Sequence, residues 1–213
     1  MIHAAFLFPG QGSHYLGMGY SLYNSFSEAK AVFEEADSIL KRPLSRICFS
    51  GSPGELGQPE NMLPAIFVLS IAAYRVLMKI CGILPVVAAG HSLGEYSALV
   101  CCGLLSFSDA LLLIEKRAAY AKEMMLAENA IMMVVDGIPT AIVESICSRY
   151  KNGDVSIGCY NTPEQCVLCG HKIDLMKIKA LLRDYPASFT PLFYSPPFHC
   201  SMMYQVADRF AED

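Results

Sequence analysis

The five residues Gly90-His91-Ser92-Leu93-Gly94 form a G-x-S-x-G pattern, directly after the apolar run Val86-Val87-Ala88-Ala89 and directly before residues 95–102, which hold no helix breaker until Gly103. A serine on a tight strand-to-helix turn must hold an unusual backbone conformation, and glycines two residues to either side let the chain pass closely without a Cβ clash. That arrangement lifts the hydroxyl to the mouth of a sheet. It also points the N–H of Leu93, at the opening of the next helix, towards any developing negative charge. Ser92 is therefore the candidate nucleophile, in a context that requires residues 83–89 to be a buried strand and the residues after Gly94 a helix.

The bulk of the chain fits a globular setting for such a turn. With 213 residues and 54% hydrophobic content it can bury a large core, as one large domain or one plus a small insert. A net charge of −4 and the lack of any Lys/Arg run leave no basic field for phosphate backbones, so nucleic acid is not an expected partner. The apolar stretches 64–78 and 85–89 fall short of the roughly 20 residues that span a bilayer, and no membrane span is expected. The first eight residues lack a basic leader region and read as a first buried strand. Nine cysteines, an odd number scattered through apolar segments, read as reduced thiols in a cytosolic compartment. Cys166 and Cys169 form a C-x-x-C, but no second pair accompanies them and strand residues three apart face opposite sides. They read as core, with no metal site.

Apolar spacing from residue 19 to Leu40 predicts one amphipathic helix after the turn Gly10-Gln11-Gly12-Ser13. Residues 43–60, punctuated by Gly51, Pro53-Gly54 and Pro59, read as a surface loop with a helical turn or two. Asn61 is a candidate cap for a buried helix over 64–79. A further helix over 106–126 should start at Ser106 and bury Leu111, Leu112, Ile114 and Ala118. Strand 130–135, helix 139–150, strands 155–160 and 165–169, helix 173–185 and strand 188–193 then follow in the order β-α-β-β-α-β. Such a unit closes its own antiparallel sheet, so a ferredoxin-like subdomain over 128–192 is expected, inserted in a large domain made of 1–127 and 193–213. The residues after the insert are too few for the closing strands of an open α/β sheet, which reads as a fragment or a shortened gene product.

Taken together, Phe8-Pro9-Gly10-Gln11-Gly12-Ser13, the Ser92 turn, Arg117, Asn161-Thr-Pro-Glu-Gln165 and Pro197-Phe198-His199 resemble, in the same order, the malonyl-CoA:acyl-carrier-protein transacylase and polyketide synthase acyltransferase family. The resemblance runs from Phe6 to Met203. It implies an α/β-hydrolase-like large domain with a parallel sheet plus the ferredoxin-like subdomain, and a soluble cytoplasmic malonyltransferase of fatty-acid or polyketide synthesis. The reaction it implies is ping-pong, from malonyl-CoA through an acyl-serine to the phosphopantetheine thiol of an acyl carrier protein or polyketide synthase carrier domain, with no bound cofactor and no metal.

The same likeness assigns roles. Ser92 is the nucleophile and His199 the base, the histidine being chosen over His91, His3, His14 and His171 by the resemblance alone. Backbone N–H groups of Gln11 and Leu93 make the oxyanion hole. Arg117, His91 and Phe198 bind substrate, Arg117 by a bidentate fork to the malonyl carboxylate and Phe198 by leaving little room for an α-methyl group. Without the likeness, Arg117 reads equally well as a surface ion pair with Glu115. Asn161 and Gln165 read as turn residues beside Pro163. The chain departs from the family pattern at His14 and Leu63, where glutamine is usual, and at Ala121, where methionine is. Two other readings stay open: an acyl hydrolase of the same fold, and an inactive acyltransferase fragment that keeps binding surfaces without chemistry.

Overall fold

The computed structural model describes residues 4–81, 83, 85–151, 153–192 and 195–212; the expected strand positions Met1, Ile2, His3, Leu84 and Phe193 lie outside the described residues. The chain forms two compact units, Met1–Ala118 and Ala119–Asp213.

In the first unit, β1 (Ala4–Phe8) pairs in parallel with β2 (Pro85–Gly90), Phe8 lying opposite Gly90. Strand alternation turns Phe6 and Phe8 to the ring of Tyr74, edge-on at 6.0 and 6.5 Å, and turns Leu7 the other way. Neither strand is buried as expected: Leu7 is 78% exposed and Val86 64%, because the described sheet has only these two strands to cover each other.

The helix expected over 19–40 is two helices, α1 (Tyr20–Ser25) and α2 (Ser27–Leu40), parted by an extended Phe26 at φ −135°, ψ 124°. The break lets Tyr23 of α1 swing onto Phe33 of α2 and onto Phe49, with ring centroids 6.0 and 5.1 Å apart. The stretch read as a loop holds more helix than expected, in α3 (Leu44–Ser50) and α4 (Pro53–Leu56). At α4 the Ser52 and Glu55 side chains close a reciprocal capping box over a proline at the first helical position.

The buried helix α5 runs Pro59–Cys81, longer than 64–79 at both ends. Asn61 is inside it and not its cap; its side-chain amide donates to the Glu55 carbonyl at 2.9 Å. By length and composition α5 could cross a membrane, but it buries residues from Pro59 to Val76 in the unit's core, as a central helix of a globular fold does. Its start was hidden by Pro64, which has no N–H for the carbonyl of Glu60 four residues back. Arg42 fills that place: Nη2 donates to the Glu60 carbonyl at 2.7 Å while Nη1 pairs with Glu115.

The turn after β2 leads into α6 (Gly94–Cys101), and α7 (Phe107–Glu128) follows, capped as expected by Ser106, whose hydroxyl accepts from the Asp109 N–H at 3.0 Å. Leu111, Ile114 and Ala118 are fully buried. Leu112, 100° further round than Leu111, is 43% exposed and does not belong to the inner side.

The second unit holds β3 (Ala130–Asp136), α8 (Thr140–Arg149), β4 (Val155–Thr162), β5 (Gln165–His171), α9 (Lys172–Leu181) and β6 (Ser188–Leu192). Its sheet is antiparallel in the order β4-β5-β3-β6, with Val135 opposite both Cys166 and Phe189. Val135, Val143, Cys166, Leu168, Leu175 and Ile178 are buried together where both helices meet one face of the sheet. A short 3-10 turn and α10 (Tyr204–Ala211) follow. The fold is α/β: an α/β-hydrolase-like part with a parallel sheet, and a ferredoxin-like part with its own antiparallel one.

Arg42→Ala is expected to cost about 1–3 kcal/mol of stability by stranding a partly buried acceptor. Pro64→Ala, which restores the missing N–H, should shrink that cost. Urea melts of both single variants and the double variant measure this, and strictly additive costs would show that Arg42 does not compensate for the proline.

Candidate active site

Ser92 stands at φ 53°, in the left-handed region, between the end of β2 and the start of α6. A non-glycine residue held there is strained, by about 1–2 kcal/mol. The turn that imposes it is tight: Gly94 N–H donates to the His91 carbonyl and Glu95 N–H to the Ser92 carbonyl, both at 3.0 Å. The two flanking glycines are required by close approach. A Cβ on Gly90 would collide with the Gly94 carbonyl carbon and the Glu95 nitrogen, and one on Gly94 would lie 2.8 Å from the Phe8 carbonyl carbon and 2.9 Å from the Pro9 oxygen.

Gly94 therefore packs the elbow against the loop that leaves β1. His91, itself exposed, ties the same two segments by donating its N–H to the Phe8 carbonyl at 3.0 Å, and Gly10 packs against the His91 carbonyl. The loop carrying Gln11 thus runs beside the elbow, braced by the Ser13 hydroxyl on the Gly10 carbonyl at 2.8 Å. Leu93 is 2% exposed and opens α6, so its side chain anchors the turn while its backbone heads the helix. Backbone donors of Gln11 and Leu93 accordingly sit on adjoining loops, the arrangement an oxyanion site needs.

Arg117 lies on α7, and its guanidinium stands over the ring of Tyr96, 5.8 Å from the centroid. Tyr96 comes four residues after Ser92, in the first turn of α6. Burial draws the guanidinium below its usual range, and the Tyr96 hydroxyl and Glu95 oppose that fall. Burial likewise pushes the Tyr96 phenol up, and Arg117 pulls it back. Glu115, the carboxylate that could have reduced Arg117 to a surface pair, is engaged by Arg42. Tyr96 was not among the expected site residues; its place in the first turn of the helix after the serine was the one signal for it.

Phe198 and His199 belong to the second unit. Phe198 is 4% exposed, its ring 6.5 Å from the imidazole, and His199 is held at φ 65°, another left-handed residue outside glycine. Gly158 on β4 fixes how closely this turn packs, since a Cβ there would meet the Phe198 carbonyl at 3.0 Å and the His199 Cβ at 3.5 Å. Of the three departures, Leu63 and Ala121 are buried apolar residues. His14 is half-buried, with no hydrogen-bond partner for Nδ1 among the described residues, and burial lowers its pKa. Asn161 and Gln165 bond each other at 3.0 Å across their turn.

A serine raised on a left-handed elbow between a parallel strand and a helix defines the class as an α/β-hydrolase-like fold built for acyl chemistry. The acyl transferase domain model matches residues 5–208, and the chain belongs to that family. It is 38% identical to a malonyl CoA-acyl carrier protein transacylase of Bacillus subtilis, over 99% of this chain and 53% of that one. Among solved structures it is similar to a malonyl-transacylase in complex with a type II polyketide synthase acyl-carrier protein, at TM-score 0.93 and 33% identity over 99% of this chain and 69% of the other. It is also similar to the Helicobacter pylori malonyl-CoA:acyl carrier protein transacylase, at TM-score 0.92 and 36% identity over 100% and 68%. The chain thus spans about half the length of the first relative and just over two thirds of the other two.

Because the strain at Ser92 belongs to the side chain's Cβ, Ser92→Gly should be more stable than Ser92→Ala by about 1 kcal/mol. Thermal melts of the two variants decide this, and equal midpoints would mean the turn is relaxed.

Proposed function

We propose that this chain moves a malonyl group from malonyl-CoA to the phosphopantetheine thiol of an acyl carrier protein or polyketide synthase carrier domain, in fatty-acid or polyketide biosynthesis and in the cytoplasm. The observation that carries the reading is the left-handed Ser92 turn together with the half-buried Arg117, whose guanidinium stands over the ring of Tyr96 in the first turn of α6. The relatives' names, with malonyl-CoA and acyl carrier protein in them, support the choice of donor and acceptor.

In this reading the Ser92 hydroxyl attacks the thioester carbonyl and gives its proton to the imidazole of His199. The oxyanion is held by the N–H groups of Gln11 and Leu93, each donor worth about 2.7–4 kcal/mol in acyl transfer. Collapse expels the coenzyme A thiolate, which takes the proton back and leaves a malonyl ester on Ser92. The carrier thiol then attacks the ester, again giving its proton to His199, and the serine leaves with that proton restored. Arg117 holds the malonyl carboxylate by a two-point fork, which a carboxylate fits and a methyl group does not. His91 and Phe198 line the substrate's path, Phe198 disfavouring an α-methyl group by about 1–3 kcal/mol. We assign residues 1–127 and 193–213 to the acyltransferase domain and 128–192 to the inserted subdomain.

Intact-mass measurement after mixing with malonyl-CoA or acetyl-CoA tests this. Ser92→Ala should form no adduct. Arg117→Ala should lose about 2–5 kcal/mol of malonyl loading while acetyl loading is kept. Equal loss with both donors would overturn the carboxylate role, and rapid loss of the adduct to water without an acceptor would favour a hydrolase.

A further inference from the structure

The cysteines of the second unit do not all behave as small hydrophobes. Cys147 and Cys166 do: both sit in the core between sheet and helices, and burial pushes both thiols up to about 11. Cys169, three residues along β5, faces the opposite side of the sheet. There its sulfur donates to the Phe198 carbonyl at 3.1 Å, and the sulfur of Cys200 donates to the Pro197 carbonyl at 2.9 Å. Two thiols from distant parts of the chain therefore rest on the same short backbone segment, Pro197 to Cys200, and His199 is inside it.

The point above Gly158 gives an independent measure of the crowding. A Cβ placed there would be 2.5 Å from the Cys169 sulfur, 3.0 Å from the Phe198 carbonyl oxygen and 3.5 Å from the His199 Cβ. The proximity of Cys200, with burial, raises Cys169, while Cys200 is lowered by Cys169 and by main-chain N–H groups of Met202 and Met203 against its own burial. Cys200 is half-buried and Cys169 fully buried. Cys200 is the accessible member and Cys169 is sheltered beside it, as the attacking and resolving members of an oxidisable pair must be.

We propose that Cys169 and Cys200 form a dithiol that a hydroperoxide closes to a disulfide, re-setting the turn that carries His199 and so switching off acyl transfer. The Cys200 thiolate attacks the outer oxygen of the hydroperoxide; the O–O bond breaks, leaving Cys200 as a sulfenic acid and releasing an alcohol, or water from hydrogen peroxide. The Cys169 sulfur then attacks the Cys200 sulfur and its proton goes to the departing hydroxide, which leaves as water. Two thiols are oxidised to one disulfide and one hydroperoxide is reduced. The left-handed backbone of His199 makes the segment sensitive, since a non-glycine residue keeps that conformation only where its surroundings impose it. The effect on transfer rests on His199 being the base; formation of the bond does not.

The full chain is treated with hydrogen peroxide, with and without later dithiothreitol. A non-reducing peptide map should join the Cys169 peptide to the Cys200 peptide, reversibly. Amide hydrogen exchange over residues 198–201 should change on linkage, and malonyl loading should fall about 100-fold, the order of effect of a small displacement of a catalytic group. Cys200→Ser and Cys169→Ala should each abolish link and sensitivity, so that one is informative if the other misfolds. Cys159→Ser, at the neighbouring thiol, should keep both. A map in which Cys200 ends as sulfinic acid beside unmodified Cys169, or a link with unchanged exchange, would overturn the proposal. Absence of loading in the reduced protein would count against the transfer reading instead, with map and exchange still deciding this one.

Discussion

Everything about the first unit's site follows from how closely three backbone segments pass at the end of β2. Gly90 lies on Gly94, and Gly94 lies on the carbonyls of Phe8 and Pro9 at the end of β1. No side chain fits in either gap, so the strand must turn within a few residues, and the residue at its apex is driven to positive φ. The strain sits on Ser92 because its neighbours cannot move. The same contact joins the elbow to the Gln11 loop, so one constraint aims the hydroxyl and places the two candidate donor loops side by side.

That constraint was legible because its chemistry is local: five consecutive residues specify the turn, and an apolar run before them specifies the strand. The β-α-β-β-α-β order of the second unit was legible for a similar reason, since each segment shows its own period and Thr162-Pro163 marks the hairpin between β4 and β5. The failures have one cause, compensation from elsewhere in the chain. Pro64 looked like a helix start because its missing N–H has a local cost, and the Arg42 guanidinium that offsets it is 22 positions away. Phe26 looked like one apolar position in a continuous helix. Only the aromatic cluster of Tyr23, Phe33 and Phe49 explains why the chain extends there.

The candidate site divides along the same line. Ser92 and Leu93 could be read from spacing, while the role of Gln11, in a glycine-bounded loop after a strand, came from family resemblance. Arg117 and His199 could not, because a single charged or imidazole side chain far along the chain carries no local pattern; both came from family resemblance. What the fold adds to each is physical. Arg117 has an aromatic floor in Tyr96, and His199 a left-handed backbone crowded by β4 and Cys169. Neither Tyr96 nor the thiol beside Phe198 announces itself by composition.

The setting of Arg117 also bears on why an arginine would serve selection between acyl groups. A guanidinium cannot shed its charge on burial, so desolvation is a standing cost in the folded protein, and the ring of Tyr96 offsets part of it through the attraction of a cation to a π face. In such a place the effective dielectric is below that of water, and a carboxylate arriving at bonding distance gains more than it would at the surface. An acetyl group brings no charge and gains nothing from the arrangement. On the proposed role of Arg117, discrimination would depend on keeping the guanidinium oriented, which would make the Tyr96 ring beneath it a part of the selection too.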